Sequence, residues 1–194
     1  RAFSLKKEDR SREIELSIIK KRNFHEKIFS KFTKAITHFK LIEPGDKIAV
    51  CISGGKDSML MAKLFQELKR QDRFPFELEF LVMDPGYNEL NRLLIENNAA
   101  TMGIPIRVFE TSIFDAVYNV EKSPCYLCAR MRRGHLYDKA KELGCNKIAL
   151  GHHYDDAVET FLMSLIYEGR ISCFQPVTDL DRTGVIQIRP MLYI

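Results

Sequence analysis

The first forty residues alternate apolar and basic positions in a pattern typical of an amphipathic helix. Apolar side chains recur every three or four positions from residue 13 to residue 40, and Lys and Arg lie mostly between them. The apolar positions are Ile14, Ile18, Phe24, Ile28, Phe32, Ala35, Ile36 and Phe39. The turn-forming run Glu43-Pro44-Gly45-Asp46 then ends the predicted helix.

Beyond this turn, short apolar runs alternate with longer amphipathic segments. The runs predict strands at 47–52, 76–83, 104–109, 147–150 and 185–188. The segments predict helices at 57–70, 89–102, 113–120, 125–143 and 155–167. This alternation predicts an α/β fold in which a five-stranded parallel sheet carries helices on both faces. No helix follows the last predicted strand, so we expect the domain to continue beyond Ile194.

Charge is distributed unevenly along the 194 residues. Residues 1–40 carry 12 Lys and Arg against 5 Asp and Glu, whereas the remainder is mildly acidic. A basic arm on an acidic body suggests a polyanionic partner such as nucleic acid, although a solvated helix face explains the same pattern. No apolar run approaches the ~20 residues needed to span a membrane. Because residues 1–23 carry charge throughout, we expect no signal peptide and a cytoplasmic protein.

Five cysteines are present, at positions 51, 125, 128, 145 and 173. An odd number with one close pair differs from the disulfide framework of a secreted protein. Cys125 and Cys128 lie one helical turn apart, so both thiols fall on one face if a helix begins there. The pair is suited to an iron–sulfur cluster, to zinc or to a redox role, with simple packing as the structural alternative.

The most informative segment is Ser53-Gly54-Gly55-Lys56-Asp57-Ser58, which joins the first predicted strand to the next helix. Glycines let the backbone approach an anion, and the helix N-terminus supplies N–H donors and partial positive charge. The segment lacks the spacing of a Walker A motif, in which Ser or Thr follows the lysine. Asp57 is therefore assigned to Mg²⁺ or to the helix N-terminus. A Gly-Gly turn in which Asp57 is the N-cap of the helix is the structural alternative.

These residues resemble the PP-loop ATP pyrophosphatase superfamily, whose signature is SGGxDS after the first strand. Two further segments narrow the resemblance. Gly151-His152-His153-Tyr154-Asp155-Asp156 looks like the second nucleotide-site motif of the tRNA-modifying branch. The run from Cys125 to Gly134 is similar to the C-x-x-C helix of the tRNA 2-thiocytidine biosynthesis (TtcA) family. The resemblance covers about residues 20–194 and all three motifs occur in order.

The resemblance implies an adenine-nucleotide α-hydrolase-like (PP-loop) fold, with a basic helical arm at 1–43 and an ATP-binding domain at 44–194. It implies transfer of AMP to a cytidine C2 oxygen of tRNA, release of pyrophosphate, and replacement of that oxygen by sulfur. ATP, Mg²⁺ and a [4Fe-4S] cluster would be the cofactors. Two cluster ligands would be Cys125 and Cys128. The third would belong to a later C-x-x-C that this sequence does not contain, and Cys173 is a poor substitute.

The implied ATP site combines the phosphate loop with the ends of two further strands. Its expected residues are Ser53, Gly54, Gly55, Lys56, Asp57, Ser58, Val82, Met83, Gly151, His152 and Asp155. Lys56, Asp57, Cys125 and Cys128 are the expected catalytic residues, and Asp57 and Asp155 the expected Mg²⁺ ligands. His153 and Asp156 are assigned to capping or packing of the following helix.

The expected partners are tRNA, a sulfur donor such as a cysteine desulfurase, and a second copy of the chain. The candidate tRNA contacts are Lys20, Lys21, Arg22, Arg130, Arg132 and Arg133. Alternative functions are tRNA(Ile) lysidine synthesis, tRNA 2-thiouridine synthesis, and a non-catalytic module that senses adenine nucleotides. The C-x-x-C pair argues against the lysidine enzyme, and the intact loop argues against the non-catalytic module.

Overall fold

The computed structural model describes residues 22–114, 124–180 and 184–194. A π-helical turn (His25–Phe29) leads into α1 (Ser30–His38). The remaining helices are α2 (Lys56–Arg70), α3 (Glu89–Thr101), α4 (Pro124–Glu142) and α5 (Tyr154–Glu168). The strands are β1 (Lys47–Ile52), β2 (Glu77–Asp84), β3 (Ile106–Glu110), β4 (Lys147–Ala149), β5 (Val177–Leu180) and β6 (Val185–Ile188).

One sheet organises the described chain, with strand order β3-β2-β1-β4-β6-β5. The pairs β3–β2, β2–β1, β1–β4 and β4–β6 are parallel, whereas β5 runs antiparallel to β6. The predicted α/β class is confirmed. The predicted number of strands is wrong, because the sheet has six strands among the described residues and one of them is antiparallel.

The strand that sequence patterning missed is β5, at the edge of the sheet. Its sequence, Val-Thr-Asp-Leu, alternates exposed and half-buried side chains instead of forming an apolar run. One face of this strand is exposed to solvent, so it needs fewer apolar side chains than a central strand that is buried on both faces. Its short connection to β6 passes through residues outside the described part and ends at Gly184, where φ is +69°.

The core lies on both faces of the sheet. On one face, α1, α2 and α3 pack on alternate residues of the central strands, such as Ile48 and Val50. On the other face, Ala140 of α4 packs on Ala49 and Ile148. Helices on both faces were predicted, and the two alternating sets of buried residues explain why β1 reads as a continuous apolar run.

The described part of the N-terminal arm packs against this core. Phe32 of α1 is fully buried and meets Phe65 of α2 edge to face, with ring centroids 5.3 Å apart. The predicted helix before residue 22, including Lys20 and Lys21, lies outside the described residues, as does most of the predicted helix at 113–120. The proposed boundary at residue 43 stays a prediction.

Strand order determines where a ligand fits. From β1 the chain proceeds outward through β2 to β3 on one side, and then crosses to β4 on the other side of β1. The loops that follow β1 and β4 therefore diverge and leave a crevice at the carboxyl ends of these two strands. None of the described helices combines the length and apolar character needed to cross a membrane.

Candidate functional site

A cleft of about 310 Å³ opens at the carboxyl ends of β1 and β4, where the strand order reverses. Three of the predicted motifs contribute to its walls: the phosphate loop, the segment after β4, and the helix that carries the cysteine pair. The lining residues are Cys51, Ile52, Ser53, Gly55, Asp57, Ser58, Met83, Arg132, Leu136, Leu150, Gly151, His152 and Asp156.

Ser58 fixes the shape of the phosphate loop from within. Its Oγ donates a hydrogen bond to the Gly55 carbonyl at 2.9 Å and accepts one from the Ser53 backbone N–H at 3.2 Å. The Ser53 hydroxyl lies 3.3 Å from the same oxygen. Because Ser58 is buried, the loop is held in this form without a ligand. Binding then loses less conformational entropy than it would if the loop had to be ordered first.

Gly54 and Gly55 have different structural roles in the loop. Gly54 has a φ of +88°, and a Cβ at this position would lie 2.6 Å from Cγ1 of Ile95. Gly55 is the N-cap of α2 and provides no side chain to bond the first N–H groups of the helix. These N–H groups face the loop, so the helix start offers donors and partial positive charge to an anion.

Lys56 and Asp57 stand at the rim, in the first turn of α2. Lys56 Nζ lies 3.0 Å from Asp57 Oδ1, and the lysine side chain is 85% exposed. Asp57 lines the cleft, whereas the Lys56 side chain lies outside its walls. The amine is mobile enough to turn inward by rotation of its side chain. Asp57 occupies the second helical position, so the structural alternative in which it caps the helix does not apply.

The segment after β4 packs closely against the phosphate loop. A Cβ on Gly151 would lie 3.5 Å from both Cα and N of Ser58, so a glycine allows this approach. His153 caps α5, since its Nδ1 accepts from the Asp155 N–H at 3.2 Å, and Asp156 Oδ2 accepts from the His153 N–H at 2.8 Å. This capping box confirms the capping assignment of His153 and Asp156.

Asp156 also lines the cleft, although the sequence analysis assigned it to capping or packing of the helix. Asp155 is exposed and is not among the residues that line the cleft. His153 Nε2 lies 3.7 Å from Asp57 Oδ2 and so connects the start of α5 with the phosphate loop. The assignment of Asp57 and Asp155 to Mg²⁺ stays a prediction.

His152 has the most unusual environment in the cleft. Its Nδ1 is buried and has no hydrogen-bond partner in the described chain. Its ring centroid is 5.1 Å from that of Phe174. The Arg189 guanidinium lies 4.8 Å from the centroid of the same Phe174 ring. Burial, followed by the positive charge of Arg189, lowers the pKa of His152. The imidazole is therefore neutral at pH 7, and its buried Nδ1 is left without a hydrogen-bond partner among the described residues.

We expect acid to destabilise the fold through His152. Its pKa is lowered from the ordinary value of 6.5 in the folded chain, so the unfolded chain binds the proton more readily. The contribution of neutral His152 to the free energy of unfolding is fully present above about pH 6.5. It is lost as the pH falls towards the lowered pKa of the folded chain. Urea unfolding at pH 7.5 and 5.5 should show a smaller loss in His152→Gln than in the wild type. The exposed His135→Gln is the control, and an equal loss in His152→Gln would contradict the assignment.

Arg132 was assigned to tRNA, but the structure places it in the wall of the cleft. Its Nη2 lies 3.5 Å from the hydroxyl of Tyr87, whose backbone N–H donates to the buried Asp84 at 2.6 Å. Cys128, Arg132 and Leu136 are four residues apart and thus share one side of α4. The four-residue spacing in the sequence indicates a shared side of the helix. Only the packing of α4 on the sheet shows that this side faces the cleft.

The two residues expected at the adenine occupy different environments. Met83 lines the cleft, whereas the Val82 side chain packs in the core of the opposite face. This difference follows from the alternation of side chains along a strand. A role for Val82 in binding would have to use its backbone. The other apolar walls, which were not predicted as site residues, are formed by Cys51, Ile52, Leu136 and Leu150.

The cysteine pair lies at the start of α4. The Cys125 side chain falls outside the described residues, but its backbone lies in the first turn of the helix. Cys128 is a half-buried free thiol that packs on the cluster around Met83 and Ile113, beside the cleft. Two thiols one turn apart are suitable ligands for a cluster or zinc. Within the described part of the chain, no group of three His, Cys, Asp or Glu is arranged to bind a metal.

The other candidate tRNA contacts lie on the surface. Arg22 is exposed and pairs with Glu26 at 3.2 Å, while Arg130 and Arg133 are exposed on α4. Cys173 Sγ donates to the Ala157 carbonyl at 3.3 Å, which associates this thiol with the start of α5.

Comparison with known proteins identifies relatives along most of the chain. The family model described as PP-loop domain matches residues 24–194. The chain is 39% identical over 166 residues to the tRNA-cytidine(32) 2-sulfurtransferase of Alkalilimnicola ehrlichii, covering 82% of this chain and 52% of that protein. It is 40% identical over 182 residues to the protein of the same name from Syntrophotalea carbinolica, covering 92% and 70%. The chain thus spans about half the length of the first relative.

A solved structure shares the fold. The U34-tRNA thiolase NcsA from Methanococcus maripaludis, described with its [4Fe-4S] cluster, superimposes with a TM-score of 0.67 at 24% identity. The match covers 88% of this chain and 60% of that one.

Proposed function

The chain belongs to the PP-loop domain family and, within it, to the family of the tRNA-cytidine(32) 2-sulfurtransferases, and from this premise we propose that it catalyses ATP-dependent thiolation of tRNA. The substrate position is C2 of a cytidine in the anticodon loop. The observation that carries the proposal is the cleft itself, which joins the phosphate loop, His152 and the cysteine-bearing helix at the point where the strand order reverses.

ATP binds with its phosphates on the loop 53–58. Backbone N–H groups at the start of α2 and the Ser53 hydroxyl donate to the phosphate oxygens, and Lys56 turns inward to add charge. Each charge-assisted bond contributes about 1.5–3 kcal/mol, more than the helix dipole. The adenine lies against the apolar wall formed by Met83 and its neighbours. Asp57, with Asp155 as the further candidate ligand, would hold Mg²⁺, which would offset the negative charge of the phosphates.

The reaction has two steps, adenylation of the cytidine and displacement of AMP by sulfur. The cytidine O2 attacks the α-phosphorus of ATP, and the bond to pyrophosphate breaks. A sulfur nucleophile then attacks C2, and AMP leaves with the former O2. Adenylation is needed because a carbonyl oxygen is a poor leaving group, whereas AMP is a good one. The loop donors and Lys56 stabilise the negative charge that develops on the departing pyrophosphate.

His152 and Arg132 complete the cleft on the side of the tRNA. The neutral His152 ring lines the cleft and is placed to contact the ribose or the α-phosphate. Arg132, held near Tyr87, offers a planar set of donors to the phosphate that is transferred to cytidine.

Cys125 and Cys128 are the proposed ligands of a [4Fe-4S] cluster. A cluster bound there would bring iron, which binds sulfur well, next to the wall of the cleft. A third cysteine ligand would complete the site, and Cys173 is the other half-buried free thiol among the described residues. A sulfur donor such as a cysteine desulfurase, a homodimeric assembly and a cytoplasmic location belong to the same proposal.

Replacement of Arg132 and Arg130 should separate ATP use from tRNA binding. Arg132→Ala removes a cleft donor and is expected to lower kcat/KM for ATP by about 10²-fold. Arg130→Ala, on the same helix but outside the cleft wall, should leave the ATP dependence unchanged. It should instead weaken tRNA binding and reduce its salt slope by about 1. Steady-state kinetics and filter binding at several salt concentrations measure both effects, and the reverse pattern would refute this division.

The function is tested by mass spectrometry of tRNA nucleosides from a strain that lacks the gene. We expect 2-thiocytidine to disappear and to return when the wild-type gene is restored. Loss of lysidine or 2-thiouridine instead would assign the chain to one of the related enzymes. An unchanged nucleoside profile would favour a non-catalytic module that binds adenine nucleotides.

A further inference from the structure

A polar groove of about 400 Å³ lies on the surface of α1 and shares no lining residue with the nucleotide cleft. We call it the basic groove; its walls consist of Ser30, Thr33, Lys34, Thr37, His38 and Arg73. Five of these residues belong to α1, whereas Arg73 lies in the connection between α2 and β2. The groove therefore combines cations from two separate parts of the chain, and its described walls contain no acidic residue.

The charge of α1 and its flanking residues has a single sign. From residue 27 to residue 42 the sequence contains four lysines and no Asp or Glu. Phe32 and Ile36 are buried in the core, whereas Lys31 and Lys34 are exposed on the other side of the helix. A stripe of exposed cations without interspersed carboxylates produces a positive surface potential that attracts a polyanion.

The cations of the basic groove have no acidic partner in the described part of the chain. Neither Lys34 nor Arg73 forms an ion pair there, whereas the nearby Arg70 is paired with Glu67 at 2.6 Å. Asp72 precedes Arg73 in the sequence but does not line the groove. The positive charge of the groove is therefore available to an anion from outside the chain.

From these observations we infer that the basic groove binds the phosphate backbone of tRNA, which is the substrate in the proposed function on which this inference rests. Contacts of Lys and Arg with phosphates provide most of the sequence-independent affinity for nucleic acid. The three hydroxyl groups of the groove already donate to backbone carbonyls at 2.5–3.1 Å. Lys34 and Arg73 supply the remaining donors, which suits contact with phosphates and not the reading of base edges.

Aromatic contacts join the basic groove to the last residues of the chain. The ring centroids of His38 and Tyr193 are 5.9 Å apart, and the His38 Nδ1 and the Tyr193 hydroxyl are hydrogen-bonded. Lys34 Nζ lies 5.6 Å from the centroid of the same tyrosine ring. The side chains of the groove are thus positioned by the segment that follows β6.

This segment continues from the basic groove to the rim of the nucleotide cleft. The carbonyl of Ile194, the residue after Tyr193, accepts a hydrogen bond from the Tyr154 N–H at 3.1 Å. Tyr154 is the first residue of α5 and follows His153, whose Nε2 lies 3.7 Å from Asp57 Oδ2 in the phosphate loop. A tRNA backbone held in the groove would therefore be guided towards the cleft in which its cytidine reacts.

Binding of unmodified tRNA to the full-length protein without ATP tests the inference. In the double variant Lys34→Glu/Arg73→Glu we expect the dissociation constant to rise on the order of 100-fold at low salt. The slope of log affinity against log salt concentration should decrease in magnitude by about 2, because two phosphate contacts are lost. Arg107→Glu/Lys141→Glu is the matched control, since both residues are exposed, lie outside the groove and change the net charge equally. The control should bind like the wild type, and circular dichroism should show that both variants fold.

Thiolation kinetics distinguish the groove from the reaction site. In Lys34→Glu/Arg73→Glu the KM for tRNA should rise while the KM for ATP stays unchanged, since neither residue lines the cleft. Unchanged tRNA binding, or an equal loss in the control, would overturn the inference. Lost binding to phosphatidylserine vesicles with intact tRNA binding would also overturn it, because the groove would then recognise a membrane surface. Wild-type protein that binds tRNA through the groove but forms no 2-thiocytidine would refute the proposed reaction and leave the groove assignment in place.

Discussion

Lys56→Ala is expected to lower ATP-dependent thiolation by about 10²–10³-fold, because one donor that stabilises the negative charge developing in the transition state contributes about this much. Its amine is 85% exposed and 3.0 Å from Asp57 at the rim of the cleft, so it can reach the phosphates by side-chain rotation alone. Pyrophosphate release and 2-thiocytidine formation, measured with purified protein and tRNA, should both decrease. Stability should change by less than about 1 kcal/mol, since the lost ion pair is exposed.

Arg70→Ala is the matched control for this result. Arg70 lies in the last turn of the same helix, is 65% exposed and pairs with Glu67 at 2.6 Å, but it is far from the cleft. Its replacement removes an ion pair of the same kind without affecting the phosphate site. Wild-type rates in Lys56→Ala would remove this lysine from the reaction. Equal losses in both variants would assign the effect to the helix instead of to its N-terminus.

The phosphate loop could be predicted because its determinants are local. An apolar run, two glycines and an amphipathic segment specify strand, turn and helix within about 24 residues, and β1 begins and ends at the predicted residues. The helix α2 starts at Lys56, one residue before the predicted start. The position of Ser58, which bonds Ser53 and Gly55, also follows from this short segment.

Other parts of the site depend on contacts between distant residues, and sequence patterns did not reveal them. Arg132 carries the same charge as Arg130, and only the packing of α4 on the sheet turns one towards the cleft and leaves the other exposed. Val82 and Met83 are adjacent and apolar, but alternation along β2 sends them to opposite faces. The edge strand β5 was missed because its side chains alternate between exposed and half-buried positions, so the strand does not form a continuous apolar run.

Cys125→Ser and Cys128→Ser are each expected to eliminate the near-visible absorption of the full-length protein after anaerobic reconstitution with iron and sulfide. A serine hydroxyl does not replace a thiolate as a ligand of iron in a cluster. Thiolation should fall to background in both variants, whereas ATP binding should persist because the phosphate loop is intact. Absorption spectra, iron content and nucleoside analysis measure these outcomes. Zinc in place of a cluster would give a colourless wild-type protein, since a d¹⁰ ion has no d–d transitions in the visible range.

The remaining cysteines make this prediction specific. Burial raises the pKa of Cys145 to about 11, so it stays a thiol at pH 7 and is a poor metal ligand. Cys145→Ala should therefore keep the absorption, although it removes a side chain from the core and lowers stability. Cys173→Ser examines the other half-buried thiol, which donates to Ala157. Absorption lost in Cys173→Ser would make Cys173 the third ligand, while absorption that survives in both Cys125→Ser and Cys128→Ser would remove the C-x-x-C pair from any cluster.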